Sequence, residues 1–170
     1  MISKTMVDAF NHQINAEMFS SYLYLSMAAY FEDLGLPGLT NWMKVQAQEE
    51  MVHAMKFFNE LAERDGRVRL AAIDQPETEW ESPLAVAENV YGHEQKVTAL
   101  INNLVTLARK ENDYASEAFL QWFVTEQVEE ESSAKTLVDQ LRLIQGHPQG
   151  LFMVDRELGA RVFTPPPAGE

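Results

Sequence analysis

The 170 residues predict an all-α fold: a four-helix bundle with one long crossover between its second and third helices and a short fifth helix at the end. Three observations carry that reading. Apolar or small residues recur at alternating spacings of three and four in four long stretches, the period of one helix face. The connections between those stretches run short, long, short. Each stretch is also interrupted near its middle by a carboxylate or amide on the apolar seam itself.

Taken in order, Thr5 with Asp8 three residues on reads as a helix start, and the first helix covers about residues 5–33. Its seam is Val7, Phe10, Ile14, Glu17, Ser21, Tyr24, Ala28 and Phe31. Asp33-Leu34-Gly35-Leu36-Pro37 breaks it, with glycine stopping one helix and proline opening the next. So short a connection turns the second helix, about 37–64, antiparallel to the first. Its seam holds Leu39, Met43, Gln46, Glu50, His53, Phe57 and Leu61. From about 65 to 82 the helical period is lost, and Ile73, Pro76 and Trp80 stand among polar residues. At about 3.3 Å per residue this stretch can span a helix of about 45 Å, so it returns the chain to the opposite end of the bundle. Ser82-Pro83 is an N-cap followed by a first-turn proline, opening a third helix over about 83–111 with Val90, Glu94, Val97 and Ile101 on its seam. Asn112-Asp113 is a short turn and cap, and the fourth helix, about 113–145, carries Leu120, Phe123, Gln127, Glu130 and Leu137. Gly146 ends it. About 148–159 suits a short fifth helix with Leu151, Val154 and Leu158 on one side; the four-helix arrangement offers it no partner, which directs it toward other subunits. Thr164-Pro165-Pro166-Pro167 cannot extend it, so about 160–170 reads as a frayed tail. The whole chain, 1–170, reads as one domain.

Composition narrows the function. A hydrophobic share of 46% and a charged share of 23% are those of a soluble globular protein. The net charge of −13, from 26 acidic against 13 basic residues, argues against nucleic acid or an anionic membrane as partner and suits cations. No apolar run approaches about 18 residues and nothing at the start resembles a signal peptide, so a cytoplasmic location is expected. The absence of cysteine excludes thiolate zinc and iron–sulfur sites.

The chemistry lies where the seams are interrupted. Glu50 and His53 form an E-x-x-H step, and an i, i+3 pair points a carboxylate and an imidazole the same way. Glu17 and Glu94 interrupt the first and third seams, and Gln127 with Glu130 the fourth. Glu50 follows Glu17 by 33 residues, and Gln127 follows Glu94 by 33. Equal spacing in two antiparallel hairpins sets all these groups at one height. The plainer alternative is that each glutamate is misplaced by one residue and faces solvent, but four helices must then fail together at matched spacing. Four carboxylates converging in a core need protons or cations, because desolvation costs several kcal/mol per ion and like charges raise one another's pKa. Mostly oxygen ligands with one imidazole suit a carboxylate-bridged pair of Fe or Mn ions, with Glu50 central as the bridge; structural zinc shows more Cys or His. Tyr24, one heptad after Glu17, stands where it can lend a hydrogen bond or an electron, beside the simpler role of an amphipathic core tyrosine. Trp122 carries the same two readings. His12 and His147 have no ligand partner at helical spacing and read as surface groups, and His93 precedes Glu94 and so faces another way.

At these residues the sequence resembles the bacterial non-haem ferritins, members of the ferritin-like di-iron family. The resemblance rests on Glu17, Tyr24, Glu49-Glu50-Met51-Val52-His53, His93-Glu94-Gln95 and the run Phe119 to Glu131, and it extends over nearly the whole chain. It implies a ferroxidase that oxidises Fe(II) with dioxygen or hydrogen peroxide at an intra-subunit di-iron centre and stores Fe(III) mineral inside a homo-oligomeric shell of twenty-four subunits. By the same resemblance Glu17, Glu50 and His53 hold one iron and Glu50, Glu94 and Glu130 the other, with Gln127 at the rim. Glu49, Glu126 and Glu129, with Glu130, resemble a third iron site; without the family, an exposed acidic cluster is simply a solvated face. Met51 stands where bacterioferritins carry their haem-ligating methionine, but Gln127 to Glu130 replaces their second E-x-x-H, so no haem is expected. Two neighbouring classes are disfavoured: a rubrerythrin-like oxidoreductase needs the missing cysteines, and a DNA-coating mini-ferritin closes its metal ligands between subunits and is repelled by the charge.

Overall fold

Five helices follow one another: α1 (Lys4–Asp33), α2 (Pro37–Glu63), α3 (Pro83–Glu111), α4 (Tyr114–Leu143) and α5 (Pro148–Leu158). The structure is a computed structural model that describes residues 2–165, so Pro166 and Pro167 of the expected tail lie outside the described residues. No strand occurs among the described residues. α1 pairs with α2 and α3 with α4, each pair joined by a tight turn as the short connections require.

The helix ends follow from local chemistry. Ser3, in extended conformation, accepts from the Met6 amide at 3.2 Å and caps α1; Thr5, which the sequence favoured, already lies inside the first turn. Ser82 caps α3 through the Ala85 amide at 3.1 Å, and Asp113 caps α4 through Ser116 at 3.1 Å. Asp65 and Asn112 close α2 and α3 in the left-handed region, at φ 58° and 54°, a conformation that short polar side chains tolerate better than other residues. Between α2 and α3 the crossover runs alongside α1, held by Asn11 to the Arg67 carbonyl, Asn15 to the Ala72 carbonyl and Tyr30 to the Trp80 carbonyl, each at 3.0 Å.

α5 corrects one expectation, because it does have a partner within the chain. It crosses the start of α2 so closely that a Cβ on Gly38 would lie 1.5 Å from the Asp155 carbonyl oxygen, and only glycine permits that approach. α2 has no side-chain cap of its own; the buried Asp155 carboxylate supplies one across the chain, accepting from the Leu39 amide at 2.8 Å. Val154 is buried, and Leu151 and Leu158 pack partly buried against the bundle.

The core comes in two apolar blocks. One gathers Leu23, Met27 and Phe31 with Leu39, Met43, Val90 and Leu137. The other gathers Phe10, Ile14, Phe57, Ile101, Leu120 and Phe123, with Phe57 and Phe123 ring centroids 4.3 Å apart. Between them, at mid-height of all four long helices, lies a layer of buried polar groups.

Candidate metal centre

The polar layer is assembled from the seam positions in turn. Glu17 sits one turn after Ile14 on α1, Glu50 and His53 lie between Met43 and Phe57 on α2, Glu94 lies between Val90 and Val97 on α3, and Gln127 and Glu130 follow Phe123 on α4. Because each seam faces the bundle axis, the carboxylates are buried: Glu17 and Glu50 are 1% exposed, Glu94 0% and Glu130 6%.

Within the layer the groups are not equally free. Glu17, Glu50 and His53 each offer a ligand atom within 4.8 Å of the others. His53 Nδ1 lies 3.3 Å from Glu50 Oε2, and Gln13 Nε2 donates to Glu17 Oε1 at 2.8 Å. Glu17 Oε2 is buried and no amide or hydroxyl donates to it, so in the metal-free layer it has only the proton that Glu17 shares with Glu50. A buried carboxylate oxygen left this way costs free energy, and a cation is the partner its lone pairs suit best. Glu94 and Glu130, by contrast, are already engaged. Tyr24 donates its hydroxyl to Glu94 Oε1, and Gln127 Nε2 donates to Glu94 Oε2 at 3.2 Å. Gln46 Nε2 donates to Glu130 Oε2 at 2.9 Å, while Gln46 Oε1 is buried without a partner.

Crowding shifts the titration of the layer. Burial first and the Glu50 charge second push Glu17 up to about 8. Burial, then the charge of Glu130, push Glu94 up to about 7. Glu50 is raised well above the carboxylate range by burial and by the charges of Glu94 and Glu130. Burial and the adjacent Glu94 also raise Tyr24 well above its ordinary value, so its phenol stays protonated and keeps donating. Near neutral pH the layer therefore holds protons that a divalent cation would replace.

A second group overlaps the first. His53, Glu126 and Glu130 offer ligand atoms within 4.8 Å of one another, although His53 Nε2 and Glu126 Oε1 are 4.0 Å apart. Glu126 is half-buried on α4. Glu129 is exposed, and Glu49 is half-buried with its Oε2 2.7 Å from Arg161 Nη2. Of the four acids expected at a third position, the structure thus draws Glu126 and Glu130 around His53, leaves Glu129 on the surface and ties Glu49 to an arginine. Trp122 packs edge-on against His53 at a centroid distance of 5.5 Å. Met51 is 42% exposed, and His12 and His147 are both exposed. His93 turns away from the ligands, its Nε2 2.7 Å from Ser20 Oγ, and burial lowers its pKa to about 4, so the ring is neutral.

Sequence reasoning set Gln46 on its seam and Gln127 at the rim, but missed Gln13 and gave Gln46 no part in holding a carboxylate. Gln13 stands four residues before Glu17 and Gln46 four before Glu50, a repeated step on two facing seams that was the available signal. It does not say which carboxylate each amide meets: Gln46 crosses the bundle to Glu130.

Residues 7–144 match the family profile described as a ferritin-like domain. The chain is 45% identical over 161 residues to a bacterial non-heme ferritin of Bacteroides fragilis, covering 95% of this chain and 100% of that protein. It is 37% identical over 163 residues to a bacterial non-heme ferritin of Staphylococcus aureus, covering 96% and 98% respectively. Among solved structures, an Archaeoglobus fulgidus ferritin engineered to a closed form superposes with a TM-score of 0.96 at 55% identity, covering 96% of this chain and 100% of that one. The open-pore ferritin of the same hyperthermophilic archaeon superposes with a TM-score of 0.94 at 54% identity, covering 95% and 100%.

Proposed function

The chain belongs to the ferritin-like family, and its likeness to bacterial non-heme ferritins supports iron storage; we propose from that premise that it is a cytoplasmic ferroxidase that keeps the Fe(III) it makes inside a hollow homo-oligomeric shell. The observation that carries this reading is a fully buried layer of carboxylates, one or more from each of four helices, with Glu17 Oε2 left open to a cation.

In this reading Fe(II) is the substrate. Glu17, Glu50 and His53 take one ion, and Glu50 shared with Glu94 and Glu130 takes the second. Each Fe(II) gives one electron, so a pair delivers two at once, reducing dioxygen to hydrogen peroxide or hydrogen peroxide to water. Anionic oxygen ligands are hard and favour the trivalent product. Protons leave Glu17, Glu50 and Glu94 as iron arrives, so uptake releases acid and weakens as pH falls. Before iron arrives Gln127 and Tyr24 hold Glu94 in place from either side, and the second ion takes over from these donors. His53 also faces Glu126 and Glu130, which supports a third position next to the pair; Glu49 and Glu129 would join it only by leaving Arg161 and the surface respectively.

The test is anaerobic loading of the whole protein with about two Fe(II) per chain, rapid mixing with oxygen, and size exclusion of the product. Fast oxidation with iron co-eluting on a very large particle is the expected result. A small oligomer that oxidises iron and then loses it would make the chain a di-iron oxidoreductase without storage.

A further inference from the structure

The segment that follows α5 carries a cation into the acidic region. Arg161 Nη2 donates to Glu49 Oε2 at 2.7 Å. The guanidinium lies over the Trp42 ring, 4.9 Å from its centroid, and the Arg161 carbonyl accepts from Asn41 Nδ2 at 2.9 Å. One face of α2 therefore grips this residue at three points, through charge, ring and backbone. The grip is incomplete, because Arg161 Nη1 is buried and has no hydrogen-bond partner.

Glu49 belongs electrostatically to the same neighbourhood as Glu130, His53 and Glu126. The second ligand group lies there, beside the buried pair. Glu49 stands four residues before His53 on the same side of α2, and its carboxylate oxygen is already occupied by a guanidinium delivered from the far end of the chain. A charge-assisted bond to a guanidinium and coordination of a metal ion draw on the same lone pairs. The pair is also easily broken, since its side chains are 27% and 23% exposed and ion pairs with access to water are weak.

We infer that Arg161 is a built-in counter-cation that competes with metal ions for Glu49 and couples occupancy of the third position to docking of the segment after α5 on α2. The inference rests on the metal-centre reading above. An ion that recruits Glu49 displaces the guanidinium and removes the one charged tie between this segment and α2, leaving the Asn41 hydrogen bond and the contact with Trp42. By reciprocity, anything that lifts the segment strengthens binding at the third position by the same factor. The Glu17, Glu50 and His53 position does not share this competitor, so the arginine ranks the sites: tight at the buried pair, loose beside it, where an ion can pass onward.

The test is calorimetric titration of the full-length shell with Zn(II), a redox-inert probe, in the wild type and in R161Q and E49Q, with amide hydrogen exchange followed over residues 158–163. Expected for R161Q is a weakest binding step about fivefold tighter, the size of a released ion pair at a partly exposed site, with the tight steps unchanged. In the wild type, exchange over 158–163 should quicken as the last step saturates; in R161Q it should be quick from the start and insensitive to Zn(II). E49Q should lose the weakest step and free the segment, which keeps the question open if R161Q assembles poorly. An R161Q titration superimposable on wild type, or wild-type exchange unmoved by saturating Zn(II), overturns the inference. Failure of the metal-centre reading looks different: the wild type would then lack the tight steps themselves.

Discussion

The two sides of the polar layer are built from the same carboxylates yet are held in opposite ways. On the α1/α2 side, Glu17, Glu50 and His53 converge with one carboxylate oxygen that no amide or hydroxyl reaches. On the α3/α4 side, Glu94 is clasped by Tyr24 and Gln127, and Glu130 by Gln46 from across the bundle. The first side is open to a cation; the second must trade hydrogen bonds for it. The difference teaches how a folded core tolerates such a layer between two apolar blocks: amides and a phenol donate hydrogen bonds to the α3/α4 side, and raised pKa values keep protons on Glu17, Glu50 and Glu94.

That asymmetry can be broken from its centre outward. Glu50 serves both sides, so E50A should slow iron oxidation by at least about a hundredfold while size exclusion shows an unchanged particle, because no assembly surface includes a residue this deeply buried. Unchanged oxidation in E50A would remove the buried layer from the chemistry. Replacing one ligand on each side should separate the two. H53A is expected to abolish the tightest step of an anaerobic metal titration, whereas E94A should keep that step and lose the next. Equal losses in both variants would mean the sides bind as one.

A smaller effect should appear in stability without metal. Glu17 and Glu94 rise from an ordinary 4.5 to about 8 and about 7 in the folded chain. The folded state thus binds these protons more tightly than the unfolded state. Their contribution is fully present below about pH 4.5 and is lost as pH climbs through 7 and 8. Melting temperature of the metal-free protein should therefore fall between pH 5 and pH 8. E17Q, neutral at every pH, should be the more stable at pH 8 by on the order of 2 kcal/mol and lose that advantage by pH 5; parallel melting curves for the two proteins would contradict the shift. The smallest effect belongs to Y24F. It removes one donor from Glu94 and should change the second metal step by about threefold to tenfold without touching the first.

Much of this was legible before the structure. Phe10, Met43, Val90 and Phe123 recur at helical spacing, and their burial follows from that period alone. The matched interval of 33 residues placed Glu17, Glu50, Glu94 and Gln127 at one height, because antiparallel hairpins of equal length align their midpoints. What stayed hidden depends on which helix faces which. Gln46 reaches Glu130 rather than its own neighbour Glu50, a matter of packing between α2 and α4. Glu129 and Glu130 differ by one residue and about 100° of helix turn, enough to put one in solvent and the other in the core. The docking of α5 rests on Gly38 and Asp155, and Ser3 displaces Thr5 as a cap by two residues; both are decided by contacts too local or too distant for periodicity to register.

The most direct measurement is anomalous scattering from crystals of the protein loaded with Fe(II) or Zn(II). The expected map holds two peaks per chain in the buried layer, about 3.5–4 Å apart, with Glu50 between them and Glu17 with His53 on one side. Loss of the Gln127 and Tyr24 hydrogen bonds to Glu94 should accompany the second peak. A map with no peak in the layer, and metal only at the exposed acids of α4, would contradict the assignment of Glu17, Glu50, His53, Glu94 and Glu130 as the centre.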